Sequence, residues 1–178
     1  MNIISKNIPN LLTCLNLILG LISISFSFQG NLVFGTILIF SGLFIDFFDG
    51  FFARLLNAYS EFGKQLDSLA DLVTFGIAPS IIIYQLIHHK IFNEYILENL
   101  NTNFSVAYFA FIFPVFGAIR LAKFNLDNEQ QDNFIGLPIP AAGIFLASLS
   151  FYDEKILTTN ILLLCLLTLS ILLVSKIS

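Results

Sequence analysis

An all-α integral membrane protein with six transmembrane helices and cytoplasmic N and C termini is the fold class that three observations predict. The 178 residues are 57% hydrophobic and 11% charged, where soluble domains carry about 25% charged residues. The mean hydropathy is +0.87. The apolar residues also fall into runs close to the roughly 17–25 residues needed to cross a hydrocarbon core about 30 Å thick. At 19.9 kDa the chain encloses too small a core to hide so much Ile, Leu and Phe, so lipid must cover it.

The runs predict helices at roughly 11–28, 32–56, 66–88, 104–122, 137–151 and 156–175. The first continues through Phe28 with no small-residue cleavage pattern, which argues for a retained span rather than a signal peptide. It ends at Gln29-Gly30-Asn31, and the second ends in the polar stretch Asn57 to Gly63. The third runs to His88, where a polar segment extends to Asn103 and leaves His88 and His89 solvated. The fourth ends at Lys123, before a stretch reaching Phe134. The fifth is short and carries Pro138 and Pro140 at its start, where proline is tolerated. Tyr152 to Lys155 separates it from the sixth. Ahead of the first span, Ile3 to Asn10 reads either as a short helix on the inner leaflet or as an unstructured start. With no internal repeat or linker, residues 1–178 form one membrane domain.

Six spans put both termini on one side. If that side is cytoplasmic, its segments hold Lys6, Arg54, Lys64, Arg120, Lys123 and Lys176, against Lys90 and Lys155 outside. This bias orients the chain with its termini inside. The net charge is -4 and no basic stripe is present, so nucleic acid is not an expected partner. Cys14 and Cys165 lie in separate apolar runs and form no redox or zinc motif. Walker A and dinucleotide-binding glycine patterns are also missing from the sequence.

The chemistry-bearing stretch is Asp46-Phe-Phe-Asp49-Gly50-Phe-Phe-Ala53-Arg54, then eight residues, then Gly63-Lys-Gln-Leu-Asp67-Ser-Leu-Ala-Asp71. At about 100° per residue, Asp46, Asp49, Gly50 and Ala53 share an arc of ~100° on one helix, and Gly63, Asp67 and Asp71 share ~80° on the next. The intervening Phe pairs face lipid or neighbouring helices. Counting ~1.5 Å per residue from Leu32, Asp46 lies about 21 Å along its helix, near the end where the third helix begins. Four carboxylates converging at membrane depth repel one another, and each costs about 2.5–3.5 kcal/mol on insertion scales. Divalent cations offset both terms. An all-oxygen ligand set favours Mg²⁺ or Mn²⁺. Gly50, Ala53 and Gly63 leave room for a bulky ligand, and Arg54 suits a phosphate. Competing readings are an ion-pair network or a divalent-cation transporter. A transporter, however, needs acids along a path open to both faces, and these cluster toward one side.

Written D-x2-D-G-x2-A-R-x8-G-x3-D-x3-D, this stretch resembles, at every fixed position, the signature of the CDP-alcohol phosphatidyltransferase family. Ile8-Pro9-Asn10-Leu-Leu-Thr13 is similar to the family's entry to its first span. Three further stretches resemble the serine-accepting branch: Asp67 to Pro79, Gly117 to Asn125 and Phe134 to Ala142. Ile139 departs from that branch, which usually has a small polar residue there. The resemblance covers about residues 8 to 145.

The resemblance implies a six-helix membrane enzyme, commonly a homodimer in a bacterial-type inner or plasma membrane, with its site facing the cytoplasm. It implies attack by the L-serine hydroxyl on CDP-diacylglycerol, giving phosphatidylserine and CMP. A pair of divalent ions would be held by Asp46, Asp49 and Asp67, with Asp71 sharing a metal and serving as candidate general base. Asn10, Thr13, Gly50, Ala53, Arg54 and Gly63 would contact the CDP-lipid, and Arg120 and Lys123 the acceptor. For Lys123 the ordinary positive flank of a span is the competing reading. Ser68 and Asn125 have weaker claims. Gly136, Pro138 and Pro140 would shape a helix start near the acceptor, with a purely architectural role as the competing reading. Sister enzymes that take glycerol 3-phosphate or an inositol phosphate remain the alternative, although a phosphorylated acceptor needs several basic groups.

Overall fold

The computed structural model describes residues 3–92, 95, 105–126, 136–153 and 156–175, with side chains from Asn7 onward. Among these residues the chain is all helix, without a strand. Six rods follow in order: α1 (Ile3–Phe28), α2 (Leu32–Leu55), α3 (Glu61–Phe92), α4 (Val106–Leu126), α5 (Ile139–Phe151) and α6 (Thr159–Val174). Asn7–Phe28, Leu32–Leu55, Glu61–Phe92 and Val106–Leu126 are long and apolar enough to cross a membrane, whereas α5 and α6 are shorter.

Several ends differ from expectation. Residues 3–10 are neither a separate surface helix nor an unstructured start, because α1 runs through Pro9 without a break. A proline near one end of a 26-residue helix removes a single backbone bond from a ladder long enough to carry the loss. Helix α3 begins at Glu61 rather than near 66, because the Ser60 hydroxyl accepts the Gly63 N–H at 3.0 Å. Glu61 in the first turn also complements the helix dipole. The same helix continues to Phe92, so His88 is not solvated. It is buried, with its ring stacked on Tyr84 at 5.8 Å and tilted against Phe92 at 4.7 Å. Helix α4 extends to Leu126 and takes Lys123 and Asn125 with it. Asn103 and Phe134 lie outside the described residues, as do Lys155 and Lys176.

Helix α3 is the axis of the bundle. From Ala78 to His88 every residue is buried, the pattern of a helix enclosed on all sides. Helices α1 and α2 pack along each other as a hairpin. It turns at Gly30, whose φ of +79° suits glycine. Asn31 caps α2 by accepting the Phe34 N–H at 3.3 Å. At the same end, the Gln85 Nε2 of α3 donates to the Ser27 and Phe28 carbonyls at 3.2 and 3.4 Å, supplying partners to the last turn of α1. The Phe stripe of α2 faces outward, with Phe44, Phe47 and Phe51 exposed.

Just past Asp71 the α3 backbone widens into π-helical turns over Leu72–Ile77, with the Ala78 N–H bonded to Val73 O five residues back. Pro79 offers no N–H to the Phe75 carbonyl. Helix α5 closes on this spot, and a Cβ at Gly143 would lie 2.1 Å from Phe75 O. On the opposite flanks, Cβ atoms at Gly20 and Gly42 would lie 2.5 and 2.7 Å from Thr74 side-chain atoms. Three helices therefore grip α3 within one turn of the acids. Gly143→Ala is expected to lower the thermal midpoint of the solubilised protein, since overpacking costs about 1–3 kcal/mol. Gly50→Ala, whose Cβ would meet nothing within 4 Å, should hold or raise it. Equal midpoints for the two variants would contradict the tight α3–α5 approach.

Candidate active site

The last turns of α2 and the first turns of α3 bring four acids together. One carboxylate oxygen from each of Asp46, Asp49 and Asp67 lies within 4.8 Å of the others. Asp71 stands beside this group, with Asp46 within hydrogen-bonding reach of both Asp67 and Asp71. Asp49 is the most deeply covered of the three grouped acids, at 6% exposure. It accepts a hydrogen bond from the Thr13 hydroxyl of α1 at 2.7 Å. That hydroxyl also lies 3.0 Å from the Pro9 carbonyl, so its single proton is shared between two acceptors. Asp71 Oδ1 is buried without a hydrogen-bond partner among the described residues.

Carboxylates this close repel unless a proton or a cation lies between them. The donor set is entirely oxygen, and neither His nor Cys enters it among the described residues. Clustered anionic oxygens with an unsatisfied buried Oδ1 fit a hard divalent cation.

A cavity of about 770 Å³ opens from the acids, within the size range of ligand sites. Asp49 and Asp67 form its acidic end. Asn10 and Thr13 of α1, Gly50 and Ala53 of α2 and Gly63 of α3 line its sides. Gly50 needs no small side chain for packing, since nothing approaches within 4 Å of its Cβ position; it leaves the wall open. At Gly63, by contrast, a Cβ would come 2.9 Å from Asn10 Oδ1, so a larger residue would displace the Asn10 amide from the wall.

Other expected residues fall elsewhere. Arg54 is exposed in the last turn of α2 and is absent from the cavity wall; it sits ~40° beyond Gly50 around the helix, off the acidic face. Arg120 is half-buried on α4 within electrostatic range of Asp71, and its Nε is unpaired among the described residues. Lys123 is exposed at the end of α4. Asn125 ties α4 to α3, its Nδ2 donating to Ser68 Oγ at 2.9 Å. Ile139 is core packing: fully buried, its Cδ1 lies 2.5 Å from a Cβ position at Gly117.

Sequence reasoning missed Pro9, Tyr59, Glu61 and Phe124, which also line the cavity. Lys64, counted in the sequence among the cytoplasmic basic residues but given no binding role, lines it too. Its Nζ lies 3.5 Å from the Asn125 carbonyl and 5.9 Å from the Phe124 ring centroid, which places a cation in the wall. The signal was Ser60: starting α3 there puts Lys64 one turn before Asp67, on a neighbouring face.

Comparison with known proteins agrees with the motif. The family model described as CDP-alcohol phosphatidyltransferase matches residues 6–173. The CDP-diacylglycerol–serine O-phosphatidyltransferase of Bacillus subtilis (strain 168) is 41% identical over 150 residues, covering 84% of this chain and 78% of that protein. A protein of the same name from Helicobacter pylori (strain J99) is 40% identical over 149 residues, covering 83% of this chain and 58% of its own length. The archaetidylserine synthase of Methanothermobacter thermautotrophicus is 33% identical over 152 residues, covering 83% and 60% respectively. The chain thus spans about three-fifths of the longer relatives.

Two opposite shifts are expected from Asp46→Asn, Asp49→Asn and Asp67→Asn. Without metal, removing one of several crowded charges should raise the thermal midpoint. Added Mn²⁺ at 100 times its dissociation constant should stabilise the parent by about 2.7 kcal/mol and stabilise the variants much less. Undiminished Mn²⁺ stabilisation in all three would remove these acids as ligands.

Proposed function

Because the chain belongs to the CDP-alcohol phosphatidyltransferase family, we propose that it transfers the phosphatidyl group of CDP-diacylglycerol to the hydroxyl of L-serine, releasing CMP. The observation that carries this is the grouping of Asp46, Asp49 and Asp67 oxygens within 4.8 Å, with Asp49 and Asp67 lining a cavity of about 770 Å³. The serine acceptor rests on the names of the relatives, which match over more than four-fifths of this chain.

Asp46, Asp49 and Asp67 hold a pair of Mg²⁺ or Mn²⁺ ions in this proposal, with Asp71 sharing one of them. Bound there, the ions offset the pyrophosphate charge that otherwise repels a nucleophile. Thr13 orients Asp49, and its hydroxyl, with Asn10, faces the CDP moiety. Gly50, Ala53 and Gly63 leave space for that moiety, and Lys64 adds a cation to the wall. Arg54, outside the wall, meets the CDP-lipid only at its outer edge. Asp71 has an unpaired buried oxygen, Oδ1, and is the base. The serine oxygen bonds to the lipid-bearing phosphorus, its proton passes to Asp71, and the phosphorus–oxygen bond to CMP breaks, CMP leaving with the electron pair. Asp71 contributes position more than basicity. Arg120, one half-buried guanidinium beside Asp71, suits the single carboxylate of serine; exposed Lys123 guides the acceptor electrostatically.

The proposed setting is an inner or plasma membrane crossed six times, with both termini and the acids on the cytoplasmic side. The Lys/Arg bias supports that orientation. Outward-facing Phe145 and Phe151 on α5, and Leu164 and Ile171 on α6, support lipid contact for the two shorter helices. A homodimer is proposed from family membership.

Membranes containing the protein, CDP-diacylglycerol and Mn²⁺ or Mg²⁺ should release CMP with L-serine, and not with glycerol 3-phosphate or inositol phosphate offered in parallel. No release with any of the three by folded, metal-loaded protein would overturn the enzyme assignment. Asp71→Asn should reduce turnover by about 10²-fold or more while CDP-lipid binding persists. Undiminished turnover would take the base role from Asp71.

A further inference from the structure

Asn16 is wholly buried in α1, and both atoms of its carboxamide, Oδ1 and Nδ2, lack a hydrogen-bond partner among the described residues. An unpaired buried polar atom costs about 1–3 kcal/mol, and inside a membrane no bulk water relieves it. An amide in a helix bundle is ordinarily retained because it bonds across helices; this one makes no such bond. Its backbone is nonetheless carefully held, the Thr74 hydroxyl of α3 donating to the Asn16 carbonyl at 3.0 Å.

The position of the amide supplies the reason. Its Oδ1 lies 2.8 Å from where a Cβ on Gly42 would stand, so it points at α2 one turn from Asp46. Along α1 it is one turn from Thr13, the residue bonded to Asp49. Along α3 its neighbour Thr74 is about one turn from Asp71, whose Oδ1 is the other unpaired oxygen at this level. Counted along α2 from Gly42 to Asp46 and along α3 from Thr74 to Asp71, the level of the amide is offset from these two acids by ~4.5–6 Å of helical rise, the order of separation that one bridging water spans. An orphan donor and an orphan acceptor therefore lie about one helical turn apart in depth.

Resting on the metal-dependent reading above, we infer that Asn16 is a positioning residue for the ion-bearing carboxylates: its amide donates, through a bridging water, to the membrane-side oxygens of Asp46 and Asp71. It thereby closes the deep side of the cluster. The Gly42 notch admits the amide beside Thr74. Alanine at 42 would meet Asn16 Oδ1 at 2.8 Å and Thr74 Cγ2 at 2.7 Å.

The test uses the full chain in detergent, with Mn²⁺ as the probe, comparing the parent with Asn16→Ala and Asn16→Ser. Electron paramagnetic resonance reads free Mn²⁺, and a thermal melt without metal reads the fold. Outer partners of metal ligands are typically worth about 10–100-fold in affinity. The dissociation constant for Mn²⁺ should rise by that factor in Asn16→Ala and recover in part in Asn16→Ser, which keeps a donor. The metal-free midpoint should stay or rise, since an unpaired amide is removed. Mn²⁺ affinity within twofold of the parent in Asn16→Ala overturns the inference. So does a metal-free midpoint that falls in both variants, which would make Asn16 a packing residue. A parent that binds Mn²⁺ but releases no CMP defeats the proposed function alone, whereas a parent that turns over serine beside an Asn16→Ala with unchanged Mn²⁺ affinity defeats this inference alone.

Discussion

The turn of α3 around Thr74 and Phe75 is gripped from three sides at distances that only glycine permits. Gly20 and Gly42 abut Thr74, and Gly143 abuts the Phe75 carbonyl. That carbonyl is available because Pro79 cannot donate to it, and the surrounding backbone has widened into π-helical turns. Wide turns of this kind are frequent at functional sites. Here the adjacent residue toward the N-terminus is Asp71. Sideways or rotational movement of α3 is blocked within one turn of the acids. The tight backbone contacts deep in the bundle consequently fix the depth and facing of Asp67 and Asp71, although neither residue takes part in those contacts.

With α3 held, the electrostatics follow. Like charges within 4.8 Å do not remain together by packing alone. The scaffold holds them close, and a cation would make that proximity favourable. Thr13 adds a directional component, since its short bond to Asp49 ties α1 to the cluster. Lys64 and the Asn125–Ser68 bond tie in α4. Helix α1 is thus tied to an acid directly and α4 to the α3 residues around the acids, while the outward surfaces carry Phe and Leu.

The acidic faces of α2 and α3 were legible in the sequence, because a period of 3.6 residues places Asp46 with Asp49 and Asp67 with Asp71 whatever the surroundings. The amphipathic start of α3 was not. Glu61, Lys64 and Gln65 depress any hydropathy average, and the helix there declares itself only through the Ser60 cap. A hydropathy average therefore starts the helix near 66, beyond Lys64, and at the opposite end a polar His88 reads as solvated although α3 continues to Phe92. The exposure of Arg54 follows from a rotation of some tens of degrees beyond the acidic arc, too small for a motif to convey. Asn16 is visible as a lone amide in an apolar run. That both its polar atoms are unpaired depends on distances between helices, which no pattern along the chain encodes.

Helix α3, at 32 residues, is ~48 Å long, some 18 Å more than a hydrocarbon core of about 30 Å. Polar residues at both ends, Glu61 and Lys64 at one and His89 and Lys90 at the other, favour overhang over steep tilt as the answer to this mismatch. Overhang shared between the two ends puts Asp67 at the hydrocarbon boundary and Asp71 a turn beneath it. The helix then works as a ruler. Its surplus length, referred to the thickness of the bilayer, sets how far the carboxylates are immersed. In the proposed reaction a lipid searching two dimensions and a solute searching three would meet at that depth, and a bilayer thicker or thinner by a few ångströms would retune the site with no change in its residues.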